Sequence, residues 1–166
     1  MTAVTKNDSV KKATKTPAKP QAKRSELRSR GREVAVQMLY SFEQNKYVDD
    51  GQLLTPEVIE GLDEDTLVFA KSLLAGFIKE RPAIDAAVDK RLDNWTIHRL
   101  AVADRALMRL GSYEIMYCAE TPSKVVINEY IELAKLYGSD LKTSKLVNAV
   151  LDKLAKEQRA DSGKKA

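Results

Sequence analysis

This chain is poor in the residues that most chemistry requires: its 166 residues include one cysteine, one histidine and one tryptophan. With Cys118 alone, an intramolecular disulfide framework and a cysteine-rich zinc site are both excluded, and a reducing compartment fits best. His98 stands beside Arg99, so histidine-rich metal sites are excluded and any catalytic triad would rest on that one ring. None of the seven glycines belongs to a Gly-x-Gly sequence, which removes the dinucleotide fingerprint and the P-loop. Glu129 and Glu132 have the three-residue spacing of a carboxylate metal site, but the matching Glu-x-x-His does not occur. They read instead as one buried and one exposed acid. No run of about 18 uncharged apolar residues could span a membrane, and the Lys-rich N-terminus with Pro17 and Pro20 has no apolar signal-peptide centre. The expectation is a soluble cytoplasmic protein with no catalytic residues, no cofactor and no metal, whose work is binding.

What is present is charge and helical periodicity. The net charge of +4 hides an asymmetry: residues 1–32 carry ten Lys or Arg against Asp8 and Glu26, a net +8, while the remainder carries 18 basic and 22 acidic residues, a net −4. A basic arm on a mildly acidic body points to nucleic acid before any small acidic ligand. With 43% hydrophobic residues, the length suits one ordinary core. The expected organisation is a disordered basic arm over 1–24, a helical domain over 25–157 and a charged tail over 158–166.

The stretch RSRGREVAVQMLYSFEQ, Arg28 to Gln44, joins the two signals. Val34, Ala35, Met38, Leu39 and Phe42 are spaced as one helix face, and about 100° per residue puts Tyr40 on the opposite, solvated side. The alternative is that Tyr40 packs on a neighbouring element. Arg28, Arg30 and Arg32 fall where this helix is expected to begin, where cations oppose the macrodipole and Gly31 weakens the first turn. Local rules broken together suggest a polyanion site, although an exposed basic terminus can also simply be tolerated.

Further helices are expected from Thr55 to Gly61, from Asp63 or Glu64 to about Arg81, and from Pro82 through Leu92, with a turn at Asn94 to Thr96 anchored by Trp95. The helix from about Arg99 to Cys118 has Leu100, Ala103, Leu107, Leu110, Tyr117 and Cys118 on its main apolar face and Asp104, Arg105, Arg109 and Ser112 opposite. Met108 and Ile115 form a minor stripe on that polar side, either a second core contact or a docking surface. Glu114 projects into the apolar face, where it must accept hydrogen bonds from a helix start or pair with a base. A helix from Ser123 to Tyr137 stops at Gly138 in the C′ position, with Glu129 a second acid among apolar neighbours. Thr143 or Ser144 caps the last helix, whose Leu146, Val147, Val150, Leu151 and Leu154 face inward, and past Lys156 the charged tail begins. No window alternates with period two, so the fold class is all-α, a compact bundle of about seven helices.

Three blocks taken in order, RSRGREVAVQMLYSFE, ADRALMRLGSYEI and TPSKVVINEYIELAKLYG followed by KLVNAVLDKL, resemble the NusB family of transcription antitermination factors over roughly Arg28 to Leu154. The resemblance implies two packed helical subdomains and binding of boxA-type single-stranded RNA in nascent ribosomal RNA leaders. It also implies a heterodimer with NusE, a small-subunit ribosomal protein, that joins the elongating RNA polymerase complex with other Nus factors. Carried onto this sequence, RNA contacts fall on Arg28, Arg30, Arg32, Tyr40, Lys142, Lys145 and Asn148, and partner contacts on Tyr40, Asp104 and Met108. Leu146 stands where the family often has Phe, which removes a ring that could stack on a base. Some relatives self-associate, so a homodimer is compatible with the resemblance. Two other readings stay open: a non-catalytic module of the ribosomal RNA cytosine methyltransferase type, and a protein-interaction bundle whose basic arm only solubilises.

Overall fold

The apolar stripes set the architecture of the computed structural model, which describes residues 21–44 and 60–164. Among these lie five α-helices: α1 (Gln21–Gln44), α2 (Glu64–Asp89), α3 (Val102–Tyr117), α4 (Ser123–Tyr137) and α5 (Thr143–Lys164), with a 3₁₀ turn at Ile97–Arg99 between α2 and α3. No strand occurs among the described residues, and none of their helices is long and apolar enough to cross a membrane. The helix expected from Thr55 to Gly61 lies almost wholly outside the described residues.

Among the described residues five helices stand against the about seven expected of the chain, partly because α2 runs through Pro82 without a break. Proline removes one intrahelical hydrogen bond, here to the carbonyl of Ile78, at a cost of about 3 kcal/mol. Ile78 is exposed, so water can reach that carbonyl, while Leu73, Phe77, Ile84 and Val88 form one buried stripe across the proline. Continuing the stripe outweighs the local break. At its start α2 is capped by Asp63, whose side chain accepts from the Asp65 backbone N–H at 3.0 Å.

Helix α3 is the hub, packed against each of the other four helices, with the α1–α2 pair and the α4–α5 pair around it. It is buried on nearly all sides: Leu107, Met108, Arg109, Leu110 and Ser112 are each fully enclosed. The expected polar face of Asp104, Arg109 and Ser112 is therefore interior. Arg109 can be buried because Asp85 of α2 and Glu43 of α1 reach it, the former accepting from Nε and Nη2 at 2.9 Å each and the latter from Nη1. A buried charge is tolerated when paired and hydrogen-bonded in this way. Trp95 is not the expected anchor, being 48% exposed with the Arg99 guanidinium over its ring. Beyond Lys156 the chain stays helical to Lys164, with its described side chains exposed.

Gly138 ends α4 for a reason other than a left-handed backbone, since its φ is −59°. A Cβ there would lie 2.4 Å from the Ala134 carbonyl oxygen and 2.8 Å from Thr143 Cβ. The glycine lets the α4–α5 turn close directly onto the helix end.

Candidate nucleic-acid interface

Helix α1 is described from Gln21 onward, so Arg28, Arg30 and Arg32 lie at least about two to three turns inside it. The expected conflict with the macrodipole does not arise, because that field fades within the first turn. Gly31 is also not a weak first turn but the point where α2 crosses α1: a Cβ there would meet Phe69 Cδ1 at 2.5 Å. The Phe69 ring lies against two guanidinium groups, those of Arg28 at 5.7 Å and Arg32 at 5.5 Å from its centroid.

The three arginines have different fates. Arg30 is exposed and pairs with Glu33 at 2.5 Å, and Arg28 is half-buried beside Phe69. Arg32 is 2% exposed. Its Nε and Nη2 donate to Glu114 at 2.8 and 2.9 Å, and its Nη1 lies 3.8 Å from Glu129. Burial alone would lower the Arg32 pKa, but the Glu114 carboxylate raises it, so the guanidinium stays charged. The direct RNA contact expected of Arg32 is thus corrected: this side chain is spent inside the fold. Glu114, one of the two acids expected in apolar surroundings, has found its base, and Glu129, half-buried, accepts from Ser29 Oγ at 2.9 Å.

A polar seam joins α1 to α4. Tyr137 donates its hydroxyl proton to Glu33 and accepts from Gln37 Nε2 at 3.0 Å. Burial would raise the Glu33 pKa, yet hydrogen bonds from Tyr137 and Arg30 hold it below the usual glutamate value. One turn beyond Gln37, Tyr40 is 41% exposed, on the solvated side as its helical angle requires, and accepts from Gln44 Nε2 at 3.1 Å.

Asp104 and Arg105 are adjacent at the start of α3 and reach in two directions. Asp104 is 7% exposed and accepts from the Ser139 backbone N–H at 2.8 Å and Oγ at 2.6 Å. Arg105 donates to Glu43 at 2.9 Å and to the carbonyls of His98 and Leu100 at 3.3 Å. One dipeptide therefore fixes the α4–α5 turn on one side and the end of α1 on the other, bringing the neighbourhood of Tyr40 and the turn with Lys142 to the same end of α3. Within that turn Asp140 accepts from the Lys142 N–H at 3.0 Å, and Leu141 is 96% exposed. Lys142, Lys145 and Asn148 are all exposed. Leu146, half-buried, packs on the core.

Two partner residues also change character. Met108 has no exposed surface, so its stripe is core, and the docking alternative fails for it because α5 and its neighbours enclose α3. Asp104 uses both carboxylate oxygens on Ser139, which makes it a clamp within the chain. Glu43, Asp85, Ser139 and Tyr137 were not anticipated. A signal existed for the acids: Arg105 and Arg109 have no acidic residue three or four positions away on their own helix, so partners had to come from elsewhere.

A cleft of about 250 Å³ between the first turns of α1 and the start of α4 is lined by Arg24, Arg28, Glu120, Thr121 and Glu129 among others. Arg24 thereby extends the exposed basic row of α1 toward its N-terminus.

The NusB family model matches residues 29–156. The transcription antitermination protein NusB of Clostridium tetani is 47% identical over 96 residues, covering 58% of this chain and 62% of that protein. Its counterpart in Listeria monocytogenes is 38% identical over 132 residues, covering 80% of this chain and 98% of the relative. Among solved structures, T. maritima NusB superposes with a TM-score of 0.71 at 34% identity, covering 78% of this chain and 91% of that one. A chain from the complex of antitermination factors NusB and NusE with dsRNA superposes at 0.69 and 28% identity, covering 80% and 98%.

Proposed function

The chain belongs to the NusB family, and from that premise we propose that it is a cytoplasmic transcription antitermination factor without catalytic activity. It binds boxA-type RNA of nascent ribosomal RNA leaders as a heterodimer with NusE and joins the elongating RNA polymerase complex with other Nus factors. The observation that carries the reading is the Asp104–Arg105 joint, which ties the lysine-bearing α4–α5 turn and the tyrosine-bearing end of α1 to one place. The α1–α2 and α4–α5 pairs act as two subdomains, and the RNA surface runs across both.

In this reading Arg28 and Arg30 on α1, and Lys142 and Lys145 on the turn and first turn of α5, neutralise phosphates and release counterions. Asn148 offers an amide to base edges, and the exposed Tyr40 ring stacks on a base or meets the partner at its junction with RNA. Tyr40 and Arg28 are twelve residues apart on α1, roughly 18 Å at 1.5 Å per residue, a span that suits an extended strand with accessible bases. Arg32, Met108 and Asp104 contribute by position: Arg32 stiffens the arginine-bearing turn, Met108 fills the hub and Asp104 holds the turn beside the NusE surface.

Fluorescence anisotropy with a labelled boxA leader RNA, with and without NusE, tests this function. Binding should be tighter with NusE present, and a scrambled sequence should compete poorly. Equal binding of both RNAs, with no effect of NusE, would leave only a non-specific basic protein.

A further inference from the structure

Asn148 does more than complete the surface described above. It is the second member of a polar row along α5, Lys145, Asn148, Asp152, Lys156 and Arg159, in which steps of three and four residues keep every side chain on one helix face. From Asn148 onward that row, Asn148, Asp152, Lys156 and Arg159, forms one wall of a groove of about 300 Å³ whose other wall is Lys124, Ile127 and Asn128 of α4. Ala155 is buried and Ile127 half-buried, giving an apolar floor. Asn128 and Asn148, both exposed, bring a side-chain amide from each helix. The single acid, Asp152, is paired with Lys156 at 2.9 Å, which leaves Lys124 and Arg159 to set the sign of the groove.

We propose that this α4–α5 groove is a second RNA contact, in which single-stranded RNA leaving the Lys142–Asn148 surface continues along α5. The chemistry matches a nucleotide chain part by part. An apolar floor accepts the face of a base, amides that both donate and accept meet its edges, and cations at the rim meet phosphates. From Asn148 to Arg159 the groove wall extends roughly 16 Å along the helix, so the groove takes a length of strand rather than a single mononucleotide. An acidic peptide would use the rim cations but leave two facing amides and an apolar floor without a purpose. The inference rests on the RNA-binding function proposed above and assigns it a longer footprint.

Two RNAs separate the claims: a short boxA oligonucleotide, and the same sequence extended at both ends. Each is titrated with the full chain and NusE at several salt concentrations. The extended RNA should bind more tightly and with a steeper salt slope. K124A/R159A should reduce the magnitude of that slope by about 1.4, at about 0.7 per single-strand phosphate contact, and leave the short RNA unaffected. K124R/R159K, which keeps the charges, should restore the slope, and K71A/K79A, which removes two exposed lysines of α2, should change neither RNA. An extended-RNA slope unchanged by K124A/R159A, or an equal loss on both RNAs, overturns the second contact while the function stands. If the unaltered protein fails to bind even the short RNA, the proposed function falls and the groove assignment with it.

Discussion

Arg32 and Glu114 form a buried ion pair with two hydrogen bonds of 2.8 and 2.9 Å, and at the residue scale they bear most directly on stability. Removing one partner leaves the other charge stranded. Arg32→Ala should therefore destabilise the protein by about 3–5 kcal/mol in urea unfolding, whereas R32M/E114L, which removes both charges, should recover most of that loss. Such a result would also distinguish the buried arginine from the exposed Arg30, whose replacement by Ala should cost little stability, as surface changes usually do. Cys118 gives a second test. Burial, then the nearby Glu114 and Glu120 carboxylates, push its thiol up to about 11. Because the thiolate is the reactive form, alkylation at pH 8 should run roughly a hundredfold slower than for an ordinary thiol of pKa near 9, and accelerate as pH rises toward 11. A rate at pH 8 equal to that of the unfolded chain would contradict this environment. The arginine row and the ring of Tyr40 were legible from sequence because both follow from helical angle and charge. That Arg32 turns inward was not, because its partner lies 82 positions away.

At the scale of elements, α2 is the instructive case. Pro82 reads locally as a helix start, but Ile84 and Val88 continue the buried stripe of Leu73 and Phe77, and the core decides. Pro82→Ala should restore the bond to Ile78 and stabilise the protein by on the order of 2 kcal/mol, about 3 from the local repair less up to about 1 from greater freedom of the unfolded chain. A lower thermal midpoint would mean that the proline sets a bend the packing needs. Helix α3 shows the limit of a pattern taken one helix at a time. Its Asp104, Arg109 and Ser112 trace a polar face and yet are interior, because the groups that satisfy the two charged ones belong to α1, α2 and the α4–α5 turn. Amphipathic angles report what a helix prefers in isolation, whereas a hub helix is buried by all its neighbours at once. The elements with one clear apolar face, α1 and α5, were correspondingly well anticipated in their inward residues.

At the scale of the whole molecule, the proposed function uses a surface assembled from opposite ends of the chain. Asp104 and Arg105 are the means: they hold Ser139 and Glu43 at the start of the hub, so the α4–α5 turn and α1 act as one unit. In the proposed function these two halves contact the same RNA, which a salt titration of boxA RNA binding can show. R28A/R30A and K142A/K145A should each lower the magnitude of the salt slope by about 1.4, and the quadruple variant by about 2.8, on the rule of about 0.7 per single-strand phosphate contact. A slope unaffected by either pair, with the fold intact by circular dichroism, would contradict a composite surface and confine RNA binding to one half of the molecule.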